Sequence, residues 1–319
     1  MSDPFRRSRD CNQFDRLEVA IGDLYERFPV ERASEWPVPP SPAGFGRWYR
    51  TSWVPLRVRL SAWQVLRRLR LDQRWFDEFS TYWTSVLGGR PLFGAEDFHF
   101  LRGVYRIRHQ DNQVPDTDDP ATHVHAWQQP ELIYQLFQQV MVESVSAQLP
   151  ICTALRSHLK RPPGALLEFG CASAPIVTSY LEFFGPATAT TFFISDIQTL
   201  AFHYAAFKFR NRPRVISVLL RPDNRFTLSL DRPVDVICCM QVLEHLQEPR
   251  RAVEQLANAL RPGGLLVFDY FRGDGAGLDT RQGVEERGAV LDFIATHFEL
   301  AEGRLSADRT IARAIARKR

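Results

Sequence analysis

From residue 165 onward, short runs of consecutive apolar residues alternate with longer segments whose apolar positions recur at helical spacing. The runs are ALLEF (165–169), ATTFFISD (189–196), RVISVLL (214–220), VDVICCM (234–240) and LLVFDYF (265–271), and FELAEGRL (298–305) and TIARAIAR (310–317) fit two more. Helices are predicted between them at 175–184, 199–210, 249–261 and 285–297. Strands that are apolar on both faces and separated by helices specify a parallel sheet covered on both sides. The last two runs are joined by a short turn, which makes them an antiparallel pair at one edge. The expected fold is therefore α/β: a doubly wound, mostly parallel seven-stranded sheet.

Before residue 160 the pattern is helical and aromatic-rich. Phe14, Leu17, Ile21, Leu24, Tyr25 and Phe28 recur at helical spacing and predict an amphipathic helix over 12–28. WPVPPSPAGFG (36–46) is a linker by its prolines and glycines, and 130–148 opens on a proline at a first-turn position and continues as a helix. The paired prolines of KRPPG (160–164) end this region. Two domains are expected, a mostly helical 1–160 and a sheet-bearing 161–319.

Composition narrows the class without naming a function. At 45% hydrophobic and 24% charged residues the chain is an ordinary globular one, and a net charge of +3 is too small to argue for a nucleic-acid partner. Only residues 160, 208 and 318 are lysine, so 37 of the 40 basic residues are arginine, a pattern of coding bias before one of function. The five cysteines are scattered with no CxxC pair, which removes a disulfide or zinc framework. The opening MSDPFRRSRD lacks the apolar core of a secretory signal, and no stretch approaches the about 18 apolar residues of a membrane span. A reduced, cytoplasmic location is expected.

In a doubly wound sheet, ligands sit beyond the carboxyl ends of the strands, where strand order reverses. The residues that follow each strand are therefore the candidates. After the first come Glu168, Gly170, Cys171, Ala172 and Ala174, a turn of small residues. The second ends in Asp196, whose carboxylate can accept both hydroxyls of a ribose. Asp223 and Asn224 follow the third, able to read an adenine edge, and Gln241, Glu244 and His245 follow the fourth.

Taken in order, EFGCASA, ISD, DVICCMQVLEHL and LRPGGLLVFDYF resemble a class I S-adenosylmethionine-dependent methyltransferase domain with a Rossmann-like fold, over about residues 165–319. The resemblance implies S-adenosyl-L-methionine as cofactor. It implies that Glu168 and Gly170, with the backbone of Cys171 and Ala172, hold the methionine portion. Asp196 would take the ribose, Ile197 would pack on the adenine, Asp223 and Asn224 would approach its amino group, and Gln241 would line the methionine side. Ala172 and Ala174 depart from the pattern by replacing glycines. A slim zwitterionic methionine tail tolerates them provided the local dihedrals stay negative, whereas a pyrophosphate demands closer backbone approach.

Methyl transfer to a hydroxyl benefits from a general base. His245 is the first candidate, because a free imidazole titrates near neutrality, with Asp269 and Asp274 next. No metal site is expected: related enzymes with E-x-x-E-H here bind a divalent ion, but Gln241 stands in place of the first glutamate, and an amide is a poor ligand for a hard cation. His123 and His125, near Asp116, Asp118 and Asp119, read as a polar loop that either lies over the pocket or does nothing there. Residues 47–75 carry an arginine-rich amphipathic pattern, either a helix docked on its own domain or a surface for a membrane or an anionic ligand. GDGAGLD (273–279) is flexible by composition and suits a substrate lid. The expected activity is O-methylation of a small-molecule acceptor, a sugar or natural-product hydroxyl, without nucleic acid. The alternatives are an RNA methyltransferase using the arginine stretch and a catalytically silent scaffold.

Overall fold

A computed structural model describes residues 21–32, 36, 65, 74–109, 119–129, 132–145, 148–184, 189–273 and 279–319. Among them, the helical region comprises α1 (Ile21–Arg27), α2 (Arg74–Ser85), α3 (Ala95–His109), α4 (Pro120–Trp127), α5 (Ile133–Val145) and α6 (Leu149–His158). The sheet region follows as β1 (Ala165–Phe169), α7 (Pro175–Phe184), β2 (Thr191–Asp196), α8 (Leu200–Phe209), β3 (Val215–Leu219), β4 (Val234–Cys239), α9 (Pro249–Ala259), β5 (Leu260–Tyr270), α10 (Arg281–Glu285), α11 (Arg287–His297), β6 (Phe298–Glu302) and β7 (Ile311–Lys318).

The seven strands lie in the order β3-β2-β1-β4-β5-β7-β6. All pairings are parallel except those of β7, which runs antiparallel to both β5 and β6. Strand order reverses between β1 and β4, so the loops after these two strands open onto one crevice. Because side chains alternate along a strand, the apolar runs feed two cores at once. Leu166, Ile194, Val236 and Val267 enter one, while Leu167, Phe193, Ile237 and Phe268 enter the other.

Two sequence-based boundaries shift. The expected helix at 285–297 starts two residues later, as α11 at Arg287, and a separate short helix precedes it at Arg281–Glu285, where the Thr280 hydroxyl accepts the Gly283 N–H. The helix over 249–261 ends at Ala259, and β5 takes up the chain from Leu260. Most of the arginine-rich stretch and of the linker lies outside the described residues. Trp36, at the head of that linker, is buried against Phe207 and His203.

The helical region shares a core with one face of the sheet: Leu24, Phe79, Trp83, Phe98 and Phe137 belong to the same apolar cluster as Leu166 and Ile194. α8 lies between the two and is buried along its whole length, as an all-round apolar helix must be. Its one imidazole is fully satisfied. His203 Nε2 lies 2.9 Å from the Phe28 carbonyl, to which it must donate, leaving Nδ1 to accept from the Tyr82 hydroxyl at 3.0 Å. Burial pushes the His203 pKa down to about 3, so the ring stays neutral.

This ring ties α1 and α2 to the sheet region. Replacing His203 with leucine leaves a carbonyl and a hydroxyl buried without partners, and urea unfolding is expected to show a loss of about 2–4 kcal/mol. Tyr82→Phe, which orphans Nδ1 alone, is expected to lose about half as much.

Candidate functional site

β1 delivers a carboxylate and then turns sharply. Glu168 is buried, and its oxygens accept the Ile176 and Val177 N–H groups at 3.0 and 2.8 Å. These are unpaired donors of the first turn of α7, so the carboxylate caps that helix. Gly170 then takes a left-handed φ of 62°, and a Cβ there would stand 2.3 Å from Val242 Cγ2. The turn therefore needs glycine at this position on two counts.

The next two bends are made without glycine. Ala172 and Ala174 have φ of 44° and 56°. The condition that a methyl fits while the dihedrals stay negative is thus not met. The loop keeps the backbone shape of a glycine-rich turn and carries side chains through it. An L-residue in this region costs about 1–2 kcal/mol. Part of the compensation is visible in the hydrogen bonds: Cys171 N–H donates to the Ser195 carbonyl at 3.0 Å, Ala172 N–H to Asp196 Oδ2 at 2.7 Å, and Ala174 N–H to the Cys171 carbonyl at 2.6 Å.

Asp196, at the end of β2, also accepts the Ile197 N–H on Oδ1 at 2.7 Å. Burial raises its pKa to about 6, and the two backbone hydrogen bonds only partly oppose this. Two backbone donors leave a carboxylate with further accepting capacity facing the crevice.

Across the strand reversal, Gln241 also adopts a left-handed φ of 56°, and its N–H donates to Asp269 Oδ1 at 2.5 Å. Asp269, buried in β5, has its pKa raised to about 7 by burial, against the Gln241 hydrogen bond and with help from the charge of Glu244. Glu244 is buried too, its pKa is raised by burial, and its Oε2 has no hydrogen-bond partner. His245 follows, with Nδ1 3.1 Å from Asp279 Oδ1 and Nε2 3.9 Å from Glu244 Oε1. Asp279 was not singled out from the sequence. It lies 34 positions beyond His245, at the end of a glycine-rich stretch with no periodicity to place it.

The helical region supplies the facing wall. The segment expected as a polar loop around His123 is instead α4, since Asp119 accepts the Ala121 and Thr122 N–H groups and Pro120 fits the first turn. His123 is buried with Nδ1 unpartnered, and burial, then the nearby charge of His245, lowers its pKa to about 4. His125, on the same helix, is exposed. Trp127 packs edge-on to His245 at 5.8 Å between ring centroids, and Gln128 Nε2 donates to the Gln198 carbonyl at 2.9 Å, fixing the helix end to the loop after β2.

These groups enclose one cavity of about 690 Å³, within the range of small-ligand sites. Glu168, Gly170, Cys171, Ala172, Asp196, Ile197, Gln241, His245 and Asp269 all line it, with His123, Trp127, Leu136, Gln135 and Gln139 opposite. Asp223 and Asn224 do not. They sit in an exposed turn, where the Asn224 side chain accepts the Thr227 N–H at 3.1 Å and satisfies its own backbone. Leu220, Arg225 and Phe226 line the cavity there instead, the last two at left-handed φ of 54° and 55°. Asp274, like Asp116 and Asp118, lies outside the described residues. Among the described residues, no group of three His, Cys, Asp or Glu side chains is arranged to hold a metal ion, and no helix is long and apolar enough to cross a membrane.

Residues 146–302 match the sequence model of a family described as "Methyltransferase domain". No curated protein matches the chain. Among solved structures, it is similar to the N-methyltransferase NodS from Bradyrhizobium japonicum WM9 in complex with S-adenosyl-L-homocysteine, at 19% identity over 54% of this chain and 87% of that one, with a TM-score of 0.39. It is similar to cofactor-bound Rv0187 from MTB at 18% identity, over 55% and 81% of the two chains, with a TM-score of 0.40. A putative rRNA-methylase from Clostridium thermocellum aligns at 15% identity over 54% and 96%, with a TM-score of 0.38.

The left-handed alanines differ in their surroundings, and so in the expected effect of removing their methyls. Ala172 is half-exposed, so Ala172→Gly is expected to stabilise the ligand-free protein by about 0.5–1 kcal/mol in urea unfolding. Ala174 is fully buried, and the about 0.8 kcal/mol lost with its packed methyl brings Ala174→Gly close to neutral. Gly170→Ala is expected to be the most destabilising change in the loop.

Proposed function

We propose that the chain, whose residues 146–302 match a methyltransferase-domain model, is a class I S-adenosylmethionine-dependent methyltransferase that methylates a hydroxyl of a small, neutral acceptor such as a sugar or a hydroxylated natural product. The observation that carries this reading is one continuous cavity among the described residues. It runs from the loop after β1 and from Asp196 to His245 and on to the helical wall, a space that would take methyl donor and acceptor side by side. The fit to the cofactor rests on Asp196. Half-buried at the cavity wall, Asp196 accepts two backbone N–H groups and keeps accepting capacity that two vicinal ribose hydroxyls would fill.

In this assignment the loop backbone at 170–172 holds the methionine portion, and Glu168 acts by fixing the start of α7. Ile197, Leu220 and Phe226 supply the apolar walls for the adenine. Residues 1–160 are proposed as the acceptor-binding cap. The helical wall of the cavity contributes Gln135, Gln138 and Gln139 beside Trp127. Amides that both donate and accept match hydroxyls, and an aromatic face suits the apolar side of a sugar or ring system.

When bound, S-adenosylmethionine supplies an activated methyl on a sulfonium. The protein's own task is positioning and proton removal. With Nδ1–H turned to the Asp279 carboxylate, His245 presents Nε2 as a proton acceptor. His245 Nε2 would take the proton of an acceptor hydroxyl held in the cavity, while the Asp279 carboxylate would hold the ring in the tautomer that leaves Nε2 free to accept it. Asp269, with a pKa of about 7, is the second candidate for that proton.

Calorimetry with S-adenosylhomocysteine is expected to show binding that weakens tenfold or more in Asp196→Asn. Only the ionised carboxylate accepts both hydroxyls, so wild-type affinity is expected to fall as pH drops below about 6, and the asparagine variant to lose that slope. No binding at millimolar ligand would return the chain to the scaffold alternative. In a panel of glycosides and phenols with methyl-labelled cofactor, His245→Ala is expected to lower kcat by about 10²–10⁴-fold with S-adenosylhomocysteine affinity unchanged.

A further inference from the structure

We infer that Lys208 is a positioning residue for the methionine end of the cofactor, holding the cradle loop in the left-handed shape that its alanines resist. The inference rests on the cofactor assignment above. Lys208 lies near the far end of α8, is buried, and reaches the loop from behind, where its Nζ donates to the Ser173 carbonyl at 2.6 Å. Ser173 is itself fully buried and stands between Ala172 and Ala174, the two residues with left-handed φ. A carbonyl at that point belongs to neither the β1 ladder nor the α7 helix and needs a donor once water is excluded.

Strained backbone persists only where its surroundings over-determine it. Glycines would reach this shape unaided, whereas alanines depend on bonds from outside the loop. Asp196 grips the N–H side of Ala172 and Glu168 grips the start of α7, on either side of the central peptide. Lys208 takes the carbonyl in the middle. The residue type fits the slot: Nζ lies 5.5 Å from the Tyr204 ring centroid and 5.1 Å from that of Phe209. A compact ammonium places a single point donor at the Ser173 carbonyl between these rings. In a chain where arginine makes up 37 of 40 basic residues, a lysine is the exception. Lys208 does not line the cavity, so it acts through the loop and not by touching ligand.

The loop faces the amino-acid tail, whereas Asp196 and the apolar walls face the adenosine. Two probes separate these parts: S-adenosylhomocysteine carries both, and 5′-methylthioadenosine carries the adenosine and thioether without the tail. In calorimetry, Lys208→Met is expected to weaken S-adenosylhomocysteine by about tenfold, the scale of one charge-assisted hydrogen bond, and to leave 5′-methylthioadenosine within about twofold. Equal weakening of both probes overturns the inference, because Lys208 would then act on the whole fold. No change in either overturns it as well. If wild-type protein binds neither probe, the cofactor assignment fails and the inference falls with it. Should the methionine variant not fold, Lys208→Gln keeps an N–H donor with shorter reach. It is expected to weaken S-adenosylhomocysteine alone, and parallel shifts in both probes would count against the inference.

Discussion

The constraint on which the rest of the structure turns is the shape of five residues, 170–174. The chain bends into the left-handed region three times there, with glycine at only the first bend. A backbone path of this kind is intrinsically unfavourable for alanine, so it has to be imposed. Three buried or half-buried ionisable side chains impose it: Asp196 from β2, Glu168 from β1 and Lys208 from α8. None comes from the loop itself. The site's precision is therefore a property of the sheet and of α8, and the loop inherits it.

α8 then links the two halves of the molecule. Its first residues line the cavity, His203 in its middle holds α1 and α2, and Lys208 near its end holds the loop. A helix buried on all sides transmits displacement poorly as bending and well as rigid translation. The helical region, the loop after β1 and the cavity wall at Leu200 and Ala201 are accordingly referenced to one buried element. The helical wall of the cavity is set separately, by the N-cap of α4 and by the Gln128–Gln198 hydrogen bond, which fixes Trp127 beside His245.

Much of the sheet was legible because its strands are unbroken apolar runs with turn residues between them, and both cores draw on adjacent positions of the same run. The convergence of Asp196, Gln241 and His245 on one crevice followed from a topological rule and needed no side-chain detail. What was not legible depended on local hydrogen bonding. Asp223 and Asn224 have the polarity of a ligand-reading turn, yet Asn224 spends its side chain on its own backbone. The Asp119-Pro120 pair turned an apparent loop into α4. The left-handed φ at Ala172 and Ala174 goes with hydrogen-bond partners from β2, which accept, and from α8, which donates, all distant in sequence, so the residues themselves pointed the other way. Asp279 meets His245 through a segment with no pattern at all.

The most direct measurement is amide hydrogen exchange at Cys171, Ala172, Ala174, Ile176 and Val177, with and without S-adenosylhomocysteine. A loop imposed by the sheet and by α8 exchanges slowly before any ligand is added, and ligand adds only modest further protection. Exchange at unprotected rates in the free protein, with protection appearing only on binding, would show that the cofactor shapes the loop and would contradict this account.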